Sequence, residues 1–423
     1  MGLTLAEKLI ARAAGRDEVR PGETVTVRVD LAMMHDSSGP RRIAPILERL
    51  GAKVWDPERI VLVSDHWVPA VDAQSAEILA ITRRWARENN IEAFYDMVGI
   101  CHVVLPQGGH LRPGMFAVGG DSHSTTGGAF GCYMFGVGST DMAGVLVTGE
   151  TWLKVPESIA LDWSGKLQRG VCAKDINLAL CAHLGLGGAE YAAVEFTGSL
   201  IAELGMEERM TLSNMAAELG AQAGLIAPDE TTTEWLEAAG GNPGEAAPWR
   251  SDKDAEYSAT HEFDAGSLEP QVAAPHSPAN AAPASSYKGV AIDQAYIGAC
   301  TGAKLADLHM AAQVLDGRQV ARGTRLLVAP ASRRDMMQAD TDGTLAKLMG
   351  AGAIMMPIGC GACAGFGGGV LAEDEVCISS TSRNFQGRMG AQSSKVYLAS
   401  PYAVAAAAVA GEIRDPREFL AKG

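Results

Sequence analysis

Three cysteines in the last third of the chain have a spacing that suits metal or redox chemistry. Cys360 and Cys363 form a CxxC inside the stretch PIGCGACAGFGGG, and Cys300 lies earlier, in IGACTG. A CxxC occurs in redox dithiols, structural zinc sites and iron–sulfur clusters. A redox dithiol usually opens a helix, but AGFGGG is a poor helix former, and structural zinc normally needs a second CxxC or a paired histidine. The spacing therefore favours an iron–sulfur cluster.

Cys300 can supply a third thiolate, because it follows a predicted strand and precedes a predicted helix. Cluster iron normally takes one cysteine per iron, so three cysteines on four irons leave one iron open. An open iron is a Lewis acid that can polarise a hydroxyl or bind a carboxylate. Cys377 is the rival fourth ligand, but its strand-like setting, EDEVCISS, predicts a buried apolar thiol.

Acidic residues adjoin histidines after three predicted strands. The segments are AMMHDSS (His35 and Asp36), VLVSDHW (Asp65 and His66) and AVGGDSHSTTGG (Asp121, Ser122 and His123). Ligands gather at the carboxyl ends of strands in open α/β sheets, so this recurrence favours one shared site over isolated hydrogen-bonded pairs. His102, in GICHVVLP, is either a core histidine or part of that site.

Two arginines suit the binding of a carboxylate substrate. Arg383 and Arg388 lie five residues apart in STSRNFQGR. A planar guanidinium can donate two parallel hydrogen bonds to a carboxylate. The alternative is an exposed basic loop.

The elements that must position these residues predict an α/β architecture. Thr4 and Glu7 form a capping box before an amphipathic helix that ends at Gly15. ETVTVRVDL alternates as a strand does, and segment 59–64 predicts a buried parallel strand followed by a crossover helix. The same strand signal returns in MFAVGG, GVAIDQAYIGA, RLLVAP, AIMMPIG and VCISS. We therefore expect parallel or mixed sheets.

The chain of 423 residues is long enough for more than one domain. A segment rich in Pro, Ala and Ser, 268–286, separates a first part, 1–285, from a third α/β domain, 286–423, that carries the three cysteines. This segment is either a linker or an ordered connection. We expect two α/β lobes in the first part, about 1–155 and 156–285.

Composition excludes several classes of function. The net charge of -15 disfavours a nucleic-acid partner, and the longest apolar run, YAVAAAAVAG, is far shorter than the roughly 20 residues that span a membrane. The N-terminus lacks the features of a signal peptide. Eight cysteines in a chain of this size suit reduced thiols or metal ligands. These features predict a cytoplasmic protein.

Four motifs in this order, GDSHSTTGGAFG, IGACTG, GCGACAG and TSRNFQGR, resemble those of the aconitase family, especially its large subunits of 3-isopropylmalate dehydratase and homoaconitase. The resemblance covers nearly the whole chain. It implies three α/β lobes around a central 4Fe-4S cluster held by Cys300, Cys360 and Cys363, with one iron open. It also implies a hydro-lyase that dehydrates and rehydrates a small hydroxy di- or tricarboxylate.

The resemblance further implies roles for individual residues. Asp65 and His66 match the pair that assists departure of the hydroxyl; His102, Asp121 and His123 match residues around the iron-bound oxygen; Ser122, Arg383 and Arg388 match carboxylate contacts; Asn214 and Glu218 match residues near the cluster. The last two would otherwise indicate only a polar helix face. His35 stands where aconitase has glutamine, and Thr126 and Ser382 stand where it has asparagines, which disfavours citrate as the substrate.

The family's catalytic base is a serine on a swivelling domain. Only residues 389–423 follow the last recognised motif, which is too few for that domain, so we expect a small partner subunit that carries it. Alternatives within the class are maleate, citraconate or dimethylmalate hydratases and homoaconitase. The alternative from another class is a cluster-bearing regulatory or RNA-binding protein, which the acidic charge disfavours.

Overall fold

Helix α1 (Leu5–Ala14) begins and ends where the sequence predicts in the computed structural model, which describes residues 2–421. The Thr4 side chain accepts a hydrogen bond from the backbone N–H of Glu7, whose carboxylate accepts one from the backbone N–H of Thr4. Gly15 ends the helix in the left-handed conformation (φ 65°), which glycine adopts at little cost. The apolar face of α1 is buried against the first lobe.

The first lobe is built on a parallel sheet. Its strands are β1 (Thr24–Arg28), β2 (Leu31–His35), β3 (Ile60–Ser64), β4 (Phe94–Asp96), β5 (Phe116–Gly119), β6 (Tyr133–Gly136) and β7 (Glu150–Lys154). Its helices after α1 are α2 (Pro40–Leu50), α3 (Ala73–Glu88), α4 (Cys101–Gln107) and α5 (Ser139–Thr148). The sheet order is β4-β3-β2-β5-β6, and β1 pairs with β7 in a separate antiparallel ribbon.

The second lobe has a smaller parallel sheet in the order β10-β9-β8-β11. Its strands are β8 (Ser158–Ser164), β9 (Ala193–Thr197), β10 (Ala223–Leu225) and β11 (Ala259–Asp264), and its helices are α6 (Ala173–Leu184), α7 (Ser199–Glu203), α8 (Met206–Met215) and α9 (Glu230–Ala238). Helix α6 supplies much of the apolar face that packs on this sheet.

The third lobe has a mixed sheet. Its strands are β12 (Gln271–Ala273), β13 (Ala281–Pro283), β14 (Gln294–Ile297), β15 (Arg325–Val328), β16 (Ile354–Met355), β17 (Val376–Ser379) and β18 (Lys395–Ala399). Its helices are α10 (Leu305–Leu315), α11 (Arg333–Thr341), α12 (Thr344–Gly350) and α13 (Pro401–Ala410). The order is β13-β12-β18-β17-β14-β15-β16, with only the pairings of β12 antiparallel. Segment 268–286 supplies β12 and β13, so it is an ordered connection.

The described residues also form short 3-10 helices: Pro57–Arg59, Ser122–Phe130, Ala216–Leu219, Ala265–Ser267, Pro278–Asn280, Ala284–Tyr287, Gly361–Ala364 and Pro416–Glu418. Within residues 2–421, no helix combines the length and apolar character needed to cross a membrane. The prediction of an α/β architecture with parallel and mixed sheets is confirmed.

The sheets of the first and third lobes direct their strand ends toward each other. The ends of β2, β3 and β5 lead into the acid–histidine segments, and the ends of β14 and β17 lead into Cys300 and the arginine loop. One apolar core, which includes Val63 and Ile297, spans both lobes. The backbone N–H of Cys360 donates to the carbonyl of Asp65 across this junction (2.9 Å). Residues far apart in the chain are thereby brought into one site.

Candidate active site

His66 and Asp65 form a buried acid–histidine pair directly after β3. The Nδ1 atom of His66 lies 2.7 Å from Oδ1 of Asp65, and the other carboxylate oxygen accepts the backbone N–H of Cys101 (2.7 Å). Burial opposes a charge on His66, but the charge and hydrogen bond of Asp65, aided by the charges of Asp36 and Asp121, outweigh burial and raise the pKa of His66 to about 9. Asp65 stays ionised, because its contacts with His66 lower its pKa despite burial. The pair therefore holds a proton at neutral pH.

His35 stacks on His66 but has the opposite ionisation behaviour. The ring centroids are 4.1 Å apart with an interplanar angle of 12°. Burial, together with the charge of His66, lowers the pKa of His35 to about 4. The backbone N–H of Ser37 donates to Nδ1, so Nε2 carries the proton and donates to the carbonyl of Gly120 (3.2 Å). His35 is therefore a neutral polar side chain that stacks on the charged ring of His66.

Asp36 organises the turn that presents this pair. Its carboxylate accepts the backbone N–H groups of His66 (3.1 Å) and Trp67 (2.9 Å). Burial and the nearby charge of Asp65 raise the pKa of Asp36 to about 6. The sequence placed Asp36 at a strand end without assigning it a role; in the structure it fixes the loop after β3.

A second chain of ionisable groups connects His102 to Arg383. Asp121 accepts from Nε2 of His102 (2.9 Å) and from the backbone of His123 (2.8 Å), while Glu218 accepts from Nε2 of His123 (3.0 Å) and from Nε of Arg383 (2.6 Å). Burial acts to raise both carboxyl pKa values, but these contacts outweigh it and lower them. Both acids therefore remain negative and hold the side chains of His102, His123 and Arg383 in place.

The three cysteines lie against this network. The Sγ atom of Cys360 is 3.8 Å from Oδ2 of Asp65 and 3.9 Å from Nδ1 of His66. Burial, and then the charge of Cys363, raises the pKa of Cys300 to about 12. Burial, followed by the charges of Asp65, Cys363 and Cys300, raises the pKa of Cys360 as well. All eight cysteines are free thiols.

The donor set fits an iron–sulfur cluster. Asn214 donates to the sulfur of Cys300 (3.2 Å), as is usual for groups that surround cluster ligands. In the described part of the chain, the buried polar atoms without a hydrogen-bond partner include several near these cysteines and the acid–histidine network, among them Oδ1 of Asn214, Oε2 of Glu218 and Nε of Arg388. Such orphaned atoms mark a space that a bound group would complete. Cys377, by contrast, lies fully buried within β17.

The remaining predicted residues lie on the loops that carry this network. Ser122 is exposed at the start of its 3-10 helix, which Asp121 caps. The Ser382 hydroxyl is 3.2 Å from Nε2 of His123, and Thr126 accepts a hydrogen bond from Asn214 (2.8 Å). The loop with Arg388 passes beside the CxxC, because a Cβ added at Gly365 would lie 2.8 Å from the Arg388 carbonyl.

Sequence reasoning missed several buried cations, among them Lys174, Lys304 and Arg209. Lys174, in the first turn of α6, is 1% exposed, and it donates hydrogen bonds to the loops that carry Cys300 and Arg383. The only signal for Lys174 in the sequence was a lysine at the start of a helix that is largely apolar. Taken together, the site offers a protonated histidine, a set of soft sulfur donors and arginines for a carboxylate.

Comparison with known proteins places the chain in a family. The family model described as Aconitase family (aconitate hydratase) matches residues 7–288 and 280–411. The 3-isopropylmalate dehydratase large subunit 1 of Methanopyrus kandleri is 46% identical, with 99% of this chain and 100% of that protein covered. The probable methanogen homoaconitase large subunit of Methanothermobacter thermautotrophicus is 45% identical (100% and 99% covered). The 3-isopropylmalate dehydratase large subunit of Aquifex aeolicus is also 45% identical (99% and 98%).

These matches confirm the resemblance noted in the sequence and the expectation of a hydro-lyase. They cover nearly the full length of the chain, at identities well above those at which only the fold is shared. Several residues that contact one another in the site, among them Asp121, His123, Ser382 and Arg383, come from the motifs that carry the resemblance. The chain belongs to the aconitase family.

Proposed function

We propose that this chain is the large subunit of an iron–sulfur hydro-lyase that removes water from, and returns it to, a small hydroxy di- or tricarboxylate, with 3-isopropylmalate as the preferred substrate. The observation that carries the proposal is the placement of the His66–Asp65 pair within 4 Å of the sulfur of Cys360. This arrangement puts a proton donor beside the soft ligand set. The names of two similar large subunits favour 3-isopropylmalate.

Cys300, Cys360 and Cys363 are the proposed ligands of a 4Fe-4S cluster. When bound, a cluster with one open iron supplies a Lewis acid for the substrate hydroxyl. The chain contributes the thiolates and the hydrogen bond from Asn214 to the sulfur of Cys300. Eight free cysteines are consistent with a reducing compartment, and we place the protein in the cytoplasm.

His66 is the proposed general acid for the leaving hydroxyl. Its Nδ1 atom is engaged with Asp65, so Nε2 is the ring atom that can transfer a proton to the substrate. The raised pKa, about 9, keeps the ring charged at neutral pH. His35 packs flat against it and fixes the ring plane. The network of His102, Asp121 and His123 is proposed to orient the substrate hydroxyl.

Arg383 is the proposed anchor for a substrate carboxylate. Glu218 accepts a hydrogen bond from Nε of Arg383, which leaves the two terminal nitrogens for bidentate binding. Arg388, whose buried Nε has no hydrogen-bond partner in residues 2–421, and the exposed Ser122 are proposed to complete carboxylate binding. Glu218 is buried and ionised, so it holds the guanidinium in a fixed orientation.

A small subunit is the proposed source of the catalytic base. Dehydration requires removal of a carbon-bound proton on the side opposite the leaving hydroxyl, and His66 is already protonated. The relatives are named large subunits, which supports a partner chain. We propose that the partner carries the swivelling domain with the base. No nucleic acid or membrane is involved in this proposal.

The test is the activity of the reconstituted complex against a panel of hydroxy acids. The full chain, loaded with its cluster and mixed with the cognate small subunit, is assayed on 3-isopropylmalate, homocitrate, citrate, citramalate and malate by the absorbance of the unsaturated product. We expect the highest kcat/KM for 3-isopropylmalate. Homocitrate is the second candidate because the homoaconitase relative is nearly as similar. No turnover of any of these acids by the cluster-loaded complex would contradict the proposal.

A further inference from the structure

Within residues 2–421, Lys174 has no counter-ion at hydrogen-bond distance. Its ammonium lies 3.2 Å from the hydroxyl of Thr301, 3.1 Å from the carbonyl of Ser380 and 2.6 Å from the carbonyl of Thr381. The side chain is almost completely buried. All three acceptors are neutral. A buried ammonium with neutral partners alone recovers only part of its lost hydration.

A second buried lysine in the same region, Lys304, has the carboxylate partner that a buried ammonium group usually has. Nζ of Lys304 lies 2.7 Å from Oδ2 of Asp307 and also donates to Thr211 and to the carbonyl of Cys300. Burial lowers the pKa of Lys174 to about 8, whereas the Asp307 carboxylate outweighs burial and raises the pKa of Lys304. The two lysines are equally buried. Their pKa values therefore shift in opposite directions because Lys174 lacks the carboxylate partner that Lys304 has.

The carboxylates nearest to Lys174 are already engaged. Glu218 binds His123 and Arg383, and Asp307 binds Lys304. Asp175, the next residue in α6, accepts the backbone N–H groups of Gln271 and Cys172, and burial outweighs these contacts and the charge of Lys174 to raise its pKa to about 7. No carboxylate in the described part of the chain is therefore free to neutralise this ammonium at short range.

The other groups whose negative charge would favour a charged Lys174 are Cys300 and Cys363, which carry that charge when they are deprotonated as ligands. These are two of the proposed cluster ligands. Thr301 follows Cys300 directly, while Ser380 and Thr381 precede Arg383. The hydroxyl of Thr301 also donates to the carbonyl of Ser380 (3.1 Å). The ammonium thus ties the turn that carries a sulfur ligand to the loop that carries the carboxylate anchor.

We propose that Lys174 is the buried counter-charge of the cysteine-bound cluster and the positioning residue that sets the Cys300 turn against the arginine loop. This inference rests on the proposed function, because it requires the cluster. Lys174 does not touch the substrate. Its charge compensates the negative charge of the thiolate-ligated cluster, and its hydrogen bonds fix the distance between the sulfur ligand and Arg383.

The test separates the charge from the hydrogen bonds. Lys174→Gln keeps a donor for the Thr381 carbonyl and removes the charge, whereas Lys174→Arg keeps the charge. The full chain of each variant is reconstituted anaerobically, and the midpoint potential is measured by titration followed by electron paramagnetic resonance. A nearby cation favours the added electron, so Lys174→Gln should shift the potential to more negative values. Lys174→Arg should stay near wild type.

Iron release to a chelator gives a second measurement. We expect Lys174→Gln and Lys174→Met to release iron about tenfold faster or more, because an uncompensated thiolate cluster is less stable in a buried site. Lys347→Gln is the control, since it removes an exposed lysine, paired with Asp316, from the same lobe. It should leave both the potential and the release rate unchanged.

Thermal unfolding distinguishes a counter-charge from a purely structural contact. Without the cluster, Lys174→Gln should be at least as stable as wild type, because an unpaired ammonium has been removed; with the cluster, it should be less stable. Equal destabilisation of both forms, or unchanged potential and iron release in the Gln and Met variants, would overturn the inference. A wild-type chain that takes up no cluster would instead overturn the proposed function.

Discussion

Replacing Asp65 by Asn tests whether this carboxylate keeps His66 protonated. Asn has nearly the same shape and can still accept the backbone N–H of Cys101, which Asp65 binds at 2.7 Å. It cannot supply the negative charge that lies 2.7 Å from Nδ1 of His66. The fold should therefore be kept while the charge state of the histidine changes.

The expected size of the effect follows from the pKa of His66. The rise from its ordinary value of 6.5 to about 9 corresponds to about 3 kcal/mol in favour of the charged ring. Without Asp65, burial is opposed only by the more weakly acting Asp36 and Asp121, so we expect the pKa to fall to 6.5 or below. At pH 7.5 the charged fraction then drops from nearly all molecules to roughly one in ten or fewer.

The assay is kcat of the cluster-loaded complex as a function of pH. Wild type should keep its acid-dependent activity until the pH approaches about 9, where His66 loses its proton. The kcat of Asp65→Asn should be about tenfold or more below that of wild type at pH 7.5. Part of this activity should return as the pH falls below 6.5, because the histidine is charged again.

A surface pair provides the matched control. His309 and Asp342 are 2.6 Å apart with about two fifths of each side chain exposed, and neither belongs to the site, so Asp342→Asn should leave the kcat profile unchanged. If Asp65→Asn kept both the wild-type rate and the wild-type pH dependence while retaining its cluster, the argument that Asp65 maintains the acid would be refuted.

Three further predictions concern the ligands, the substrate and the partner. Cys300→Ser or Cys363→Ser should abolish the bound cluster, measured as iron and sulfide per chain, whereas Cys377→Ser should keep it; a stable cluster without Cys300 would contradict the ligand assignment. Arg383→Lys should raise KM about tenfold or more, because lysine cannot bind a carboxylate bidentately, and an unchanged KM would exclude the anchor role. The cluster-loaded chain should show no turnover until the small subunit is added, which full activity of the large chain alone would disprove.

Much of the fold could be predicted because its signals are local. The capping box of Thr4 and Glu7 set the start of α1, and the apolar segment 59–64 predicted β3, since the burial of alternating or continuous apolar residues depends on near neighbours. The Pro-rich segment 268–286 was ambiguous because its local composition does not show whether it pairs with a distant strand. Its strands form only because β18, more than a hundred residues later, offers an edge to β12.

The sequence by itself determined which chemical groups the site contains: the three cysteines, the acid–histidine pairs and the arginines, all recognisable from residue type and order. It could not determine their charges. His35 and His66 stack at 4.1 Å, yet the pKa is lowered to about 4 in one and raised to about 9 in the other. Both rings are buried, but only His66 has a carboxylate at hydrogen-bond distance of its ring nitrogen.

The same physical reason separates Lys174 from Lys304. Both are buried lysines near the start of a helix, and only the tertiary structure gives one a carboxylate and the other three neutral oxygens. Desolvation acts on every buried charge, whereas its compensation depends on atoms contributed by distant parts of the chain. The sequence therefore shows which ionisable residues are present, but the fold decides the protonation state and the electrostatic role of each one.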